Sequence, residues 1–114
     1  FDEAKAQYEA NSEYQGQWGL DSINASSAYA RGATGAGIII GITDSGLDGT
    51  HAEINSARID PRSRQSYQNY QPNTRQMRHG TYVASIAAGE LSENTDTPMH
   101  GVAFDSRVLF VAIQ

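Results

Sequence analysis

Two apolar runs of strand length stand out in a chain that is otherwise mixed: Ile38-Ile39-Ile40-Gly41-Ile42-Thr43 and Arg107-Val108-Leu109-Phe110-Val111-Ala112-Ile113. The first is nearly continuous and β-branched rather than alternating. That pattern predicts a strand buried on both faces, as at the centre of a parallel sheet. The run ends in Asp44, and Ser45-Gly46 turn the chain at once, so a carboxylate stands at the strand tip. Between the two runs, His79 to Gly89 carries Val83, Ile86 and Ala87 at three- and four-residue spacing. This predicts a helix that starts at His79 and stops at Gly89. Its Ala84-Ser85 and Ala87-Ala88 pairs make it thin enough to pack close to a sheet. Strand, loop, helix, loop, strand is the order of a βαβ unit and predicts an α/β fold on a parallel sheet.

The flanking segments are less strongly patterned. Asp2 to Ala10 holds good helix formers with acids in the first turn, where the helix dipole favours them. A helix this short depends on docking elsewhere. Residues 15–20 predict an extended connector whose Trp18, the only tryptophan, anchors the N-terminal arm by packing. Asp21 to Arg31 predicts a short helix with Asp21 as N-cap, Ile23, Ala28 and Tyr29 as its apolar face, and Gly32 just past its end. Residues 47–57 predict a loop with one helical turn near Ala52-Glu53-Ile54, and residues 90–99 an acidic loop. From Arg58 to Arg78 the chain is polar, with Arg58, Arg62, Arg64, Arg75 and Arg78 against the single acid Asp60. Pro61 and Pro72 interrupt any continuous helix there. The stretch predicts a solvated loop or hairpin; binding of an acidic partner or single-stranded nucleic acid is the other reading of its arginines and tyrosines.

Composition narrows the function classes. At 114 residues the chain is at most one ordinary domain. With 39% hydrophobic and 18% charged residues it is globular rather than disordered. A net charge of −5 lacks the basic footprint of a nucleic-acid binder. The absence of cysteine removes disulfides, thiolate zinc sites and a cysteine nucleophile together. No apolar stretch is long enough for a membrane-spanning helix. The start, Phe1-Asp2-Glu3-Ala4-Lys5, shows no signal peptide.

Spacing removes several chemistries. Gly35 and Gly37 precede their strand, whereas a dinucleotide loop needs glycines after it. No Gly-Lys-Ser/Thr is present. A calcium loop starting at Asp44 fails at Gly46 and Asn55. His51, His79 and His100 lie too far apart for a zinc pattern. What remains is Asp44 with His79, thirty-five residues on. A carboxylate that fixes the tautomer of a histidine is the supporting half of a nucleophilic hydrolase. Parallel strands bring the two to one carboxyl-end edge, where α/β sites lie.

The surroundings of that pair resemble a known family. Ile40-Gly41-Ile42-Thr43-Asp44-Ser45-Gly46-Leu47-Asp48-Gly49-Thr50-His51 resembles the aspartate motif of subtilisin-like serine proteases, and His79-Gly80-Thr81-Tyr82-Val83-Ala84-Ser85-Ile86-Ala87-Ala88-Gly89 resembles their histidine motif. Gly101-Val102-Ala103 with the apolar run after it resembles the segment that follows. The resemblance covers about Trp18 to Gln114. It implies a parallel-sheet, subtilisin-like three-layer α/β fold of which only the N-terminal portion is present. Residues 1–17 would be an N-terminal arm and 18–114 an incomplete peptidase domain. Asp44 would be the orienting carboxylate and His79 the general base. Ser45 and Gly46 would shape the turn, and Gly80 would let the histidine backbone pack tightly. Tyr82 departs from a second, non-catalytic histidine common in the family, and His51 falls on another non-catalytic one.

The same resemblance implies a serine endopeptidase that acts on protein or peptide substrates. No serine here stands in a Gly-Thr-Ser or Gly-x-Ser-x-Gly setting. The nucleophile and the oxyanion asparagine would therefore come from the remainder of the same protease domain, and residues 1–114 alone are expected to fold poorly and to hydrolyse nothing. No cofactor is required for that chemistry. Structural calcium occurs in some members, where Glu53 matches a ligand position and Glu90, Glu93, Asn94 and Asp96 fall near a ligand loop. Leu20 to Gly37 is similar to the lead-in of bacterial autotransporter passenger domains, which implies a secreted or cell-surface protein. No nucleic-acid partner and no membrane span in this segment are expected. Two other readings stand beside the enzyme: a catalytically inactive relative that works as a binding or assembly module, and a calcium-binding structural domain.

Overall fold

The structure, a computed structural model, describes residues 1–47, 54–64, 75–91 and 99–113; of residues 75–77 it describes the backbone. In chain order the elements are α1 (Asp2–Ala10), α2 (Ser12–Gln15), α3 (Trp18–Ser22), α4 (Ala25–Ala30), β1 (Ile39–Asp44), a 3₁₀ turn (Ser56–Arg58), α5 (Arg75–Ala88) and β2 (Arg107–Ala112).

Strands β1 and β2 pair in parallel, in register from Ile39 opposite Arg107 to Asp44 opposite Ala112. Parallel neighbours need a crossover, and α5 lies between them in sequence. Side chains alternate across a strand, so Ile40 and Ile42 share a face with Val108, Phe110 and Ala112. That face packs on Val83, Ala84, Ala87 and Ala88 of α5, with Leu47, Ile54 and Ile59 closing the core. The βαβ reading is what the chain adopts.

Three features differ from the sequence expectation here. Helix α5 begins at Arg75, so His79 is its fifth residue and not its first. Its buried stripe is Gly80, Ala84 and Ala88 flanked by Val83 and Ala87, while Ile86 faces out. One helical stripe covers roughly a third of the circumference, and Ile86 falls outside it. Strand β1 is buried on one face only among the described residues: Ile39 is 42% exposed, and Gly41 and Thr43 are exposed as well. No described element covers that side.

The segment after the 3₁₀ turn is not a solvated loop. Ile59 and Arg64 form parallel bridges to Val108 and Val111, on the edge of β2 away from β1. The amide of Asp60 donates to the Val108 carbonyl at 2.7 Å, and that of Arg64 to the Phe110 carbonyl at 2.8 Å. Asp60 is buried, with its two oxygens held by Arg62 at 2.9 and 3.0 Å and by Arg107 at 3.5 Å. Of the arginines in this stretch, Arg62 serves its one acid, whereas Arg58 and Arg64 donate to backbone carbonyls. Residues 65–74 lie outside the described residues, as does the helical turn expected near Ala52.

Upstream, α1 is helical as expected and docks through Tyr8, whose ring lies 5.3 Å from that of Tyr29 in α4. Tyr14, Leu20, Ala25, Tyr29 and Phe104 form a second core that ties the N-terminal helices to the approach to β2. The expected extended connector is instead helical, in α2 and α3. Asn11 accepts the first free amides of α2, from Glu13 at 2.9 Å and Tyr14 at 3.3 Å, and the Gln17 side chain caps α3. Nor does one helix run from Asp21 to Arg31. Asn24 takes a left-handed φ of 58° and breaks it, a conformation asparagine tolerates better than most residues. Asp21 is therefore inside α3 rather than its cap, and Ile23 is exposed. Gly32 does end α4: its φ is +87°, and the amides of Gly32 and Ala33 donate back to the Tyr29 and Ala28 carbonyls in a Schellman closure. Trp18 is 79% exposed and anchors nothing, because the short α3 turns Leu20 inward instead.

Candidate active site

Asp44 closes β1 and projects at its carboxyl end, as a strand-tip residue does. Its Oδ1 accepts three hydrogen bonds: from the Ser45 amide at 2.6 Å, from the Ser45 hydroxyl at 2.9 Å and from His79 Nδ1 at 2.8 Å. Ser45 thus folds back on the carboxylate it follows, which is how it shapes the turn. The Asp44 side chain is 14% exposed and that of His79 70%. Burial by itself pushes the Asp44 carboxyl up. The Ser45 amide, the His79 ring and the Ser45 hydroxyl outweigh it and hold the group below its ordinary value. Asp44 is therefore an anion in neutral solution.

An anionic Asp44 fixes the tautomer of His79. Nδ1 carries the hydrogen that faces Oδ1, so in the neutral ring Nε2 holds the free lone pair. The exposed ring offers that nitrogen to solvent. The arrangement can accept a proton at Nε2 and stabilise the imidazolium that results.

The supports of α5 are as specific as the pair itself. Gly80, next to His79, lies on the Gly46 carbonyl: a β-carbon there would fall on that oxygen and come within 2.9 Å of Phe110 Cζ. At the other end the approach to β2 runs along the helix terminus. The amides of Gly101, Val102 and Ala103 donate to the carbonyls of Gly89, Ile86 and Ala87 at 2.9, 3.0 and 2.8 Å. Helices leave their last carbonyls without internal partners, and this segment satisfies them. Tyr29 reaches the same segment, donating to the Val102 carbonyl at 2.6 Å, and burial raises its hydroxyl above the ordinary phenol range. His100 precedes it, buried among Tyr14, Tyr29 and Phe104, and its Nδ1 donates to the Gly101 carbonyl at 2.7 Å. Burial lowers its basicity.

Asp44 and His79 are thus brought together, and Tyr82 is exposed on the same helix. His51, Glu53, Glu93, Asn94 and Asp96 lie outside the described residues. Among the described residues no three acidic or histidine side chains gather to hold a metal ion. A cleft of about 490 Å³ lined by Glu9, Tyr14, Gln15, Trp18, Asp21 and Ser22 belongs to the N-terminal helices, and no residue of β1 or α5 lines it. Nothing in the sequence marks the backbone staples at 101–103, because main-chain donors carry no residue signature.

Comparison with known proteins places these features in a wider set. The model of the subtilase family matches residues 35–114. Two extracellular serine proteases of Serratia marcescens are 41% and 39% identical over 99 and 101 residues, 85% and 87% of this chain. A mouse protein, proprotein convertase subtilisin/kexin type 4, is 30% identical over 95 residues, 75% of the chain. The matched stretches cover 9%, 9% and 14% of those relatives, so the chain spans a small part of their length.

Proposed function

Because this chain belongs to the subtilase family, we propose that it supplies the aspartate and histidine of an Asp-His-Ser triad in a secreted serine endopeptidase. Its fold is the α/β, parallel-sheet fold of that family in part. The observation that carries the reading is the 2.8 Å bond between His79 Nδ1 and Asp44 Oδ1. In this reading Asp44 orients the ring, and His79 Nε2 takes the proton of a serine hydroxyl as that oxygen attacks the peptide carbonyl. The imidazolium, stabilised by Asp44, then gives the proton to the leaving amine. The serine and the oxyanion donors come from the rest of the peptidase domain, since no serine of this chain stands in a nucleophile setting.

The relatives' names support protein substrates and secretion. The similarity of Leu20–Gly37 to autotransporter lead-ins supports export to the bacterial surface by that route.

The test is labelling of the full-length protein with a serine-directed fluorophosphonate. The expected result is rapid labelling of the wild type and loss on the order of 10⁴-fold or more in Asp44→Ala and His79→Ala. A wild type that does not label would overturn the enzyme in favour of a binding or assembly module, and wild-type labelling in both variants would overturn the roles of Asp44 and His79.

A further inference from the structure

Of the last four carbonyls of α5, Ser85, Ile86 and Ala87 are taken by backbone amides of Gly89, Val102 and Ala103. The fourth, Ala88, is taken by a side chain from the segment that links β1 to α5. Arg58 ends the 3₁₀ turn, and its Nη2 donates to the Ala88 carbonyl at 2.6 Å. Its Nε donates to the Ser106 carbonyl at 2.8 Å. Ser106 is the residue just before β2. One planar guanidinium therefore bridges the end of the histidine-bearing helix and the start of the strand paired with the aspartate strand. The geometry of the fork is rigid, the guanidinium is partly buried, and its Nη1 has no partner among the described residues. A cation at a helix C-terminus is also favoured by the dipole. By sequence pattern this arginine belongs to a solvated stretch, and nothing in the triad reading uses it.

We propose that Arg58 is a positioning residue for His79: its fork fixes the distance between the C-terminal end of α5 and β2, and through the helix the reach of His79 to Asp44. An α-helix rises about 1.5 Å per residue and transmits displacement along its axis, so Ala88 stands about 13 Å from His79 on one stiff rod. Gly80 on the Gly46 carbonyl is the other fixed point. With the Arg58 fork gone, only the amides of Val102 and Ala103 hold that end of α5. A tilt of the helix about Gly80 swings the His79 ring, which stands off the axis, and a hydrogen bond of 2.8 Å has little slack. A misplacement of about 1 Å costs on the order of 100-fold in reactions that need a positioned base. The consequence for catalysis rests on the triad reading; the structural claim does not.

The experiment uses the full-length protein with two readouts. One is the fluorophosphonate labelling rate. The other is the low-field proton resonance of the His79 Nδ1–H, identified by its loss in His79→Gln and visible whether or not the protein is an enzyme. Arg58→Met keeps the apolar stem and removes the fork. The expected result is a folded protein with a broadened or missing resonance and labelling about 10- to 100-fold slower. Arg58→Lys keeps a charge at the helix end but reaches only one carbonyl, and is expected to fall between wild type and Arg58→Met. Folded Arg58→Met with the resonance and rate of the wild type would overturn the proposal. Should Arg58→Met not fold, Arg58→Lys decides: wild-type values there mean that charge alone suffices and the fork positions nothing. Should the wild type not label, the triad reading fails, and the resonance alone still supports or overturns the role of Arg58.

Discussion

Gly80 lies directly on the carbonyl of Gly46, with no room for a side chain between the histidine helix and the turn that follows the aspartate. The contact joins the two elements that carry Asp44 and His79, two residues after the one and one after the other. In an open helix, replacing glycine by alanine gains about 1 kcal/mol. Here the sign is reversed. The added carbon meets backbone, not a yielding side chain, and overpacking of this kind costs about 1–3 kcal/mol. Gly80→Ala is expected to lower the denaturant midpoint and to slow fluorophosphonate labelling more than stability alone explains. A variant as stable and as reactive as wild type would contradict the packing.

Acid is expected to destabilise the protein in two steps. His100 is held neutral by burial, and the Arg62 side chain holds Asp60 well below its ordinary value; Asp44 is depressed too. Each group binds fewer protons folded than unfolded, so stability falls as pH drops past the unfolded value. The histidine step begins below about pH 6.5 and the carboxylate step below about pH 4. His100→Gln is expected to melt lower at neutral pH, through loss of packing, but to show a flatter curve between about pH 6.5 and about pH 5. Thermal midpoints that track the wild-type slope across that range would show that His100 is not the group responsible.

Trp18, in spite of its size, is expected to contribute little to stability. A buried tryptophan cut to alanine costs about 3–5 kcal/mol. A side chain 79% exposed has little contact to lose, and Trp18→Ala is expected within about 0.5 kcal/mol of wild type. Chemical denaturation measures it directly, and a loss above about 2 kcal/mol would mean that the indole is packed after all.

Residues 1–114 expressed alone are expected to fold poorly and to leave peptides uncut. Ile38, Ile39, Val111 and Ile113 are all exposed on or beside the sheet, and no described residue pairs with β1 on the side away from β2. An unpaired strand edge with apolar neighbours invites association. Dye binding to exposed apolar surface and poor amide dispersion are the expected signatures. A sharp cooperative melt of a monomer would refute the first expectation, and measurable peptidase activity the second.

Much of the βαβ unit was legible in the sequence because its cues are local. A β-branched run sets a strand, a three- and four-residue spacing sets a helix, and Gly32 ends α4 because only a residue free to take positive φ closes it that way. The same locality placed Asp44 at a strand tip and paired it with His79 as a candidate. Other features are decided by what packs on what. Sequence spacing marked Ile86 as core, yet the stripe that meets the sheet runs through Gly80, Ala84 and Ala88. Trp18 looked like an anchor until α3 turned Leu20 inward. Arg58 and Asp60 read as solvated, yet the chain after the 3₁₀ turn pairs with β2, burying Asp60 and half-burying Arg58. Alternation and periodicity follow from backbone geometry, which each short stretch carries within itself. Burial, the 2.8 Å reach of His79 to Asp44 and the staples on α5 depend on segments far apart in the chain, and only the tertiary structure brings those together.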